Sequence, residues 1–234
     1  MYHHLPFNCL SEIVEYLEDK RDLRSCLLID RLWCEVTVPI LWTSIQNYHT
    51  LIVCLPFCLS DESKEVLRKN NVILSTPNSR PPIFNYVKYV RSLSCDDMYE
   101  IVEQLGIDLS ITSRTLVAVV MREILKMFMK QTSLKQLLYG HQEHFSDIQF
   151  LTYPGAVGCL RNLLEFACES DDSTEFLCQL AQICRKIQFL TIRIIYEISD
   201  GLAVLVTAQR NLKHLRLITP SSSLGITIRP SRRH

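Results

Sequence analysis

Residues 187–217, IQFLTIRIIYEISDGLAVLVTAQRNLKHLRL, contain one apolar pattern twice, with a helical pattern between the two copies. In each copy, apolar residues occupy the first, fourth and sixth positions: Ile187, Leu190 and Ile192, then Leu212, Leu215 and Leu217. Alternation at the end of each copy is typical of a strand with one buried face. Ser199 or Asp200 can begin a helix that carries Leu202, Leu205 and Val206. The stretch therefore predicts a strand, a helix and a second strand.

The same pattern recurs three times earlier in the chain, at Val90/Leu93/Cys95, Leu134/Leu137/Tyr139 and Leu163/Phe166/Cys168. The first residues of the five copies are 44, 29, 24 and 25 residues apart. This template, at a period of roughly 20–29 residues, resembles leucine-rich repeats. The resemblance implies an α/β solenoid, or horseshoe, in which each unit buries its apolar face against its neighbours. An unrelated α/β domain with leucine-rich strands stays open as an alternative, because the asparagine that usually follows the strand is missing.

Predicted helices fill the intervals between the copies. Asp172-Ser-Thr-Glu175 has the spacing of a capping box. The helix that it begins carries one apolar side, formed by Leu177, Leu180, Ala181 and Cys184. The 44-residue interval holds two predicted helices, at about residues 97–105 and 113–129, so one unit is enlarged.

Residues 5–42 carry three short helical patterns. The apolar side of the first is formed by Leu10, Ile13, Val14 and Leu17. Pro6 suits the first helical position, where its missing N–H costs nothing. Asp22 can cap the second pattern and Asp30 the third, which carries Trp33 and is expected to end at Pro39. Because so small a segment cannot bury this apolar surface alone, it docks on the rest of the chain or on another protein. Periodicity alone equally allows an ordinary helical start to a domain.

The residues of this segment are more specific than their periodicity. They read Leu5-Pro6-x-x-x-Leu10-x-x-Ile13-x-x-Tyr16-Leu17, then Asp22-Leu23, Leu28-Ile29-x-Arg31-x-Trp33 and Pro39-x-Leu41-Trp42. This order and spacing resemble an F-box, with Asn8 at a commonly acidic position and Asp30 in place of the usual Ser or Asn. The resemblance implies a three-helix module that binds the Skp-family adaptor of SCF-type ubiquitin ligases and, through it, the cullin. It also implies adaptor contacts from Leu5, Pro6, Leu10, Ile13 and Leu17, with Trp33 as a contact or an internal scaffold.

The predicted domain organisation follows from these two resemblances. Residues 1–45 form the F-box, and residues 46–85 form a linker with short helices, one of them near residues 63–69. Residues 86–219 form the leucine-rich-repeat-like domain, and residues 220–234 form a C-terminal tail. The expected fold class is α/β, with three N-terminal helices followed by a short solenoid.

Composition limits the partners and the compartment. Lys plus Arg and Asp plus Glu are each 25, so the formal net charge is zero and no nucleic-acid partner is expected. The longest apolar run is too short to span a bilayer, and the N-terminus lacks the apolar stretch of a signal peptide. The ten cysteines contain no C-x-x-C pair. We therefore expect reduced thiols in a cytoplasmic or nuclear protein without a membrane partner.

The sequence offers little support for catalysis. His141, Glu143 and His144 are close together but lack the H-E-x-x-H order of a zinc protease, so a solvated loop is expected there. Cys54 and Cys58 have the wrong spacing for redox chemistry or zinc. We therefore expect a protein that is not an enzyme, with no metal and no cofactor.

Side chains alternate across a strand, so residues between the apolar positions of the template are expected on the open face of the sheet. The predicted substrate-binding residues there are Leu138, Leu164, Phe189, Lys213, His214 and Arg216. The three apolar ones are expected in a row, as a site for an unknown protein target, unless a loop of the same chain covers them. The three basic ones suit an acidic or phosphorylated target. The expected function is substrate recognition for the ligase; the alternative is a structural scaffold that binds the adaptor without delivering a substrate.

Overall fold

The computed structural model describes residues 5–44, 54–72, 74, 81–109, 114–140, 149–195, 198–219 and 226–228. The predicted α/β class is confirmed. Three helices come first, and strands alternating with helices follow.

The first three helices are α1 (Phe7–Glu15), α2 (Lys20–Cys26) and α3 (Arg31–Leu41), called here the three-helix unit. Asp30 caps α3 as predicted, since its carboxylate accepts a 2.9 Å bond from the Trp33 amide. The predicted cap of α2 is wrong: Asp19, and not Asp22, accepts from the backbone. Pro39 lies inside α3 and does not end it, because only two helical residues follow and few hydrogen bonds are at stake.

The remaining elements follow in chain order, and the described ranges include 3₁₀ turns at Tyr86–Tyr89 and Phe150–Thr152. The helices are α4 (Asp61–Lys69), α5 (Cys95–Leu109), α6 (Arg114–Gln131), α7 (Ala156–Leu160), α8 (Thr174–Ile183) and α9 (Asp200–Ala208). The strands are β1 (Ser92–Ser94), β2 (Gln136–Leu138), β3 (Glu165–Glu169), β4 (Phe189–Arg193), β5 (His214–Ile218) and β6 (Ile226–Ile228).

The six strands form one sheet whose spatial order equals the chain order. Strands β1 to β5 are parallel, and β6 adds to β5 in the antiparallel direction. The segment expected as a C-terminal tail therefore contributes a strand. Parallel neighbours need a crossover, and helices between the strands supply it.

One backbone hydrogen-bond pattern repeats along the sheet. A single carbonyl just before one strand accepts bonds from two consecutive amides at the start of the next strand, one from the residue before it and one from its first residue. The Lys135 carbonyl, for example, accepts from Leu164 and Glu165 at 2.8 and 2.9 Å. The five carbonyls that do this belong to Thr43, Arg91, Lys135, Leu164 and Gln188. The pattern begins at Thr43, directly after α3, where Ser44 also pairs with Ser92 of β1. The three-helix unit is thus joined to the edge of the sheet.

Polar side chains before the strands hold consecutive units together. The Gln209 amide donates to the Cys184 carbonyl at 2.8 Å, and its oxygen accepts from the Ile187 amide at 3.0 Å. Before β2 and β3, the Thr132 hydroxyl and the Cys159 sulfur lie 3.2 Å apart. These buried groups are satisfied by the neighbouring unit, which is what burial of polar atoms requires.

The main core lies between the sheet and its helices. The template residues of the first four copies are buried there, from Val90 to Ile192. Residues of the predicted linker join the same core, namely Leu55, Leu59, Leu67 and Val72. The capping box predicted at Asp172 is wrong: Ser173 is the residue before α8, and the Asp172 carboxylate accepts from the Glu169 amide instead.

Candidate functional site

The three-helix unit has a small core of its own and an unusual number of large exposed apolar side chains. Its core is formed by Leu10, Val14, Leu23 and Val36. Six exposed side chains, called here the N-terminal apolar surface, are Leu5, Phe7, Ile13, Tyr16, Leu28 and Ile29. Tyr16 and Leu28 are 85% and 87% exposed, so they contribute almost nothing to the packing of this chain.

The structure separates the predicted adaptor-binding residues into three groups. Leu5, Pro6 and Ile13 are exposed, as a contact residue must be. Leu17 and Trp33 are half-buried against the small core. Leu10 is wrong as a surface contact, because it is 1% exposed and packs inside the unit.

Four members of the N-terminal apolar surface were not predicted from the sequence: Phe7, Tyr16, Leu28 and Ile29. Tyr16 lies three residues after Ile13, so the two are neighbours on the side of α1. The signal in the sequence that could have identified them is an apolar residue outside the side of the helix that packs into the small core. Apolar residues outside the buried stripe are those that folding of the unit does not need.

The unit is held against the sheet by backbone and ring contacts. The Thr43 carbonyl accepts from the Arg91 and Ser92 amides at 2.8 and 3.0 Å. The rings of Trp42 and Tyr86 lie 4.4 Å apart between centroids. These contacts orient the N-terminal apolar surface relative to the sheet.

The second candidate site is the open face of the sheet. Register places Gln136, Glu165, Phe189 and His214 side by side, and Leu138, Ala167, Thr191 and Arg216 in a second row. Phe189 is 41% exposed and stacks on His214, with centroids 4.9 Å apart and ring planes at 8°. The structure therefore brings together an aromatic pair from β4 and β5.

The predicted row of apolar residues on this face is wrong. Leu138 and Phe189 lie in different rows, and Leu164 precedes β3, level with Gln188. Leu138 and Leu164 are also half-buried. The reason is that the three residues occupy different template positions, and strands in register place equal positions side by side. The basic residues Lys213 and Arg216 are exposed as predicted.

The carboxyl ends of the strands form an acidic region with a depression of about 160 Å³ beside it. Glu169 pairs with Arg193 at 3.7 Å. Asp172 is buried, and one of its carboxylate oxygens has no hydrogen-bond partner among the described residues. Burial, opposed by the hydrogen bond from the Glu169 amide, raises the pKa of Asp172 to about 7.

Several of the described cysteines are unsuited to thiolate chemistry at neutral pH, because burial raises their pKa. Burial raises the pKa of the Cys58 thiol to about 11 and that of Cys184 to about 12, and it raises the Cys95 pKa as well. Among the described residues, no three His, Cys, Asp or Glu side chains are grouped as metal ligands would be. The segment that contains His141, Glu143 and His144 lies outside the described residues.

No helix in the described ranges has the length and apolar character needed to cross a bilayer. Comparison of the chain with protein families, curated proteins and solved structures gives no significant match. The two surfaces described above are therefore the basis for a functional interpretation.

Proposed function

We propose that the chain is a non-catalytic substrate-recognition subunit of an SCF-type cullin-RING ubiquitin ligase in the cytoplasm or nucleus. In this proposal the three-helix unit is an F-box that binds the Skp-family adaptor. The sheet region is a short leucine-rich-repeat-like solenoid that holds a target protein. The observation that supports the proposal most is the N-terminal apolar surface on a unit whose sequence resembles an F-box.

Exposed apolar area is the physical reason to expect a partner at the three-helix unit. Burying apolar surface contributes roughly 25 cal/mol per Å², and a stable interface covers about 800 Å² on each partner. Large apolar side chains in one small region are what such an interface uses. Leu10 is left out of the interface, because it already packs against Val14 inside the unit.

The proposed mechanism is proximity. The contacts at Thr43 and Trp42 hold the three-helix unit against the sheet, so a target on the sheet keeps a defined position relative to the adaptor. A tethered target has a high effective concentration at the ubiquitin-charged enzyme that the ligase recruits. This chain then needs no reactive group of its own.

The test is co-purification of the chain with a Skp-family adaptor and a cullin. We expect capture of both by the wild-type chain and loss of capture by Leu5→Asp with Ile13→Asp, because a charge in an apolar interface has no partner there. The matched control is Ile83→Asp, since Ile83 is 83% exposed but lies outside the three-helix unit. Equal capture by the wild-type chain and the double variant would contradict the proposal.

A structural scaffold would share the adaptor but not the target. Proteins that co-purify with the chain are expected to turn over faster when the wild-type chain is present than when the Leu5→Asp, Ile13→Asp variant is. Adaptor binding without any such dependence would favour the scaffold.

A further inference from the structure

Three arginines occupy the same position in three consecutive strand–helix units. Arg161, Arg185 and Arg210 each lie four residues before the first residue of a strand, β3, β4 and β5 respectively. Those first residues, Glu165, Phe189 and His214, are paired in register. All three arginines are exposed. We call them the arginine ladder.

The ladder positions are adjacent in space as well as equivalent in sequence. Neighbouring parallel strands are about 4.8 Å apart. Next to the ladder, the Lys186 ammonium donates to the Asn162 side chain at 2.8 Å. This bond joins the segment before β4 to the segment before β3. Within the described residues, no carboxylate forms an ion pair with any arginine of the ladder.

The ladder is part of a wholly basic region. The segments that lead into the five parallel strands, called here the amino rim, are residues 85–91, 131–135, 161–164, 184–188 and 209–213. The amino rim contains eight cations and no acidic residue, in a chain with equal numbers of both. The eight are Lys88, Arg91, Lys135, Arg161, Arg185, Lys186, Arg210 and Lys213.

The opposite ends of the strands carry the opposite charge. Five aspartates lie beyond the carboxyl ends of β1, β3 and β4: Asp96, Asp97, Asp171 and Asp172 within three residues of a strand, and Asp200 seven residues after β4. A five-residue strand is about 16 Å long, so the two charged regions are separated by more than a Debye length at physiological ionic strength. An anion at the amino rim is therefore largely screened from the aspartates.

Helix dipoles explain part of this separation. The helices α7, α8 and α9 end at the amino rim, where cations are favoured, and Asp200 is the first residue of α9 at the other end. This effect accounts for a cation at each helix end. It does not account for Lys135 and Lys213, which lie next to strands, nor for the choice of arginine at three consecutive positions. Arginine is the side chain best suited to bind a carboxylate through two parallel hydrogen bonds.

We propose that the amino rim binds an acidic segment of the target protein, with carboxylates on the arginine ladder. The charge complementarity of the rim selects this partner, and the exposed ring of Phe189 next to the rim offers an apolar contact for a neighbouring residue of the segment. The inference rests on the proposed function in taking a protein target as the occupant. A nucleic acid is disfavoured, because the chain as a whole has a formal net charge of zero.

The experiment measures binding of a fluorescein-labelled oligoglutamate peptide to the purified full chain by fluorescence anisotropy, at low and at physiological ionic strength. We expect saturable binding that weakens with salt. Replacing Arg161, Arg185 and Arg210 by Gln is expected to weaken binding by about tenfold or more, since three charge-assisted contacts are lost. Replacing the same three by Lys is expected to weaken it less.

The matched control removes three exposed arginines from the three-helix unit, Arg21→Gln, Arg24→Gln and Arg31→Gln, and is expected to leave peptide binding within about twofold. If the ladder variant loses its circular dichroism signal, Arg185→Gln alone replaces it, with a smaller loss expected. The proposal is overturned by absence of wild-type binding, by equal losses in ladder and control variants, or by tighter binding of an oligothymidylate of equal charge. Capture of the adaptor is measured separately. A chain that captures the adaptor but does not bind the peptide would therefore overturn this proposal and not the proposed function.

Discussion

The sheet region and the three-helix unit place their large apolar side chains differently. In the sheet region, Leu137, Phe166 and Leu190 are almost completely buried under the helices. In the three-helix unit, Tyr16 and Leu28 are mostly exposed, although capping by Asp19 and Asp30 specifies the helices well. The exposed side chains are therefore not a consequence of weak local structure. The comparison separates apolar residues that make the fold from those that are available to a partner.

The largest expected effect concerns the apolar side chains that are buried in the two cores. Phe166→Ala removes a fully buried ring from the centre of the sheet, so we expect a loss of about 3–5 kcal/mol in the free energy of unfolding. Urea unfolding followed by circular dichroism measures it. Leu10→Ala is the counterpart in the three-helix unit, with an expected loss of about 2–5 kcal/mol.

The two variants also test whether the cores are separate. Leu10 and Phe166 belong to different clusters of buried residues. We expect Leu10→Ala to leave the sheet region folded, with hydrogen exchange accelerated mainly in α1 to α3. Equal acceleration of exchange in β3 and β4 would show that the two regions unfold as one.

The second largest expected effect concerns the buried carboxylate of Asp172 in the sheet region. Because the pKa of Asp172 is raised from 3.8 to about 7, the folded chain keeps a proton that the unfolded chain loses. The contribution of Asp172 to the free energy of unfolding is therefore fully present below pH 4. It falls by up to about 4 kcal/mol as the pH rises to 7. Asp172→Asn is expected to raise the urea midpoint at pH 7 and to flatten its pH dependence.

The control for this effect is Asp171→Asn, which removes the same charge from an exposed neighbour. It is expected to change the urea midpoint at pH 7 much less than Asp172→Asn does. Identical urea midpoints for the wild type and Asp172→Asn across pH 4–7 would mean that the ionised carboxylate does not destabilise the folded chain.

Much of the sheet region could be predicted from the sequence, because a period of two reports directly which side of a strand is buried. Leu137, Phe166 and Leu190 were found in this way. The joining of Thr43 to β1 could not be predicted, since a short stretch bound through backbone atoms carries no side-chain pattern. Asp19 and Asp22 both suit a helix cap, and only the backbone decides between them.

The candidate site was predicted less well than the fold. Leu10 and Ile13 are both apolar on the same helix, and periodicity does not show that Leu10 faces α3 while Ile13 faces outward. The apolar row on the sheet failed because register was needed to compare positions between strands. Strand register also shows that the three arginines of the ladder are neighbours in space. The sequence alone shows only that each lies at the same distance before a strand.

The third effect probes the packing between helices in the sheet region. A methyl group added at Gly201 would lie 2.8 Å from the Thr174 carbonyl oxygen and 2.9 Å from the Leu177 Cβ. Because backbone cannot move aside cheaply, Gly201→Ala is expected to destabilise the chain by about 1–3 kcal/mol in urea unfolding. Gly158→Ala is the matched control, since nothing lies within 4 Å of its added methyl. It is expected to stabilise α7 by up to about 1 kcal/mol; an equal loss at both sites would contradict the close packing of α9 on α8.

The smallest effect on stability is the sharpest test of the comparison. Ile13→Ser and Phe189→Ser each replace a partly exposed apolar side chain, one in each region, so both are expected to lower the free energy of unfolding by only about 1 kcal/mol. Their effects on binding are expected to differ. Ile13→Ser weakens capture of the adaptor and leaves the oligoglutamate peptide bound, whereas Phe189→Ser leaves adaptor capture intact and weakens capture of the target protein. Co-purification with each partner, on variants of matched urea midpoint, measures both. A variant that lost both partners at unchanged stability would show that the two surfaces serve one interface and not two.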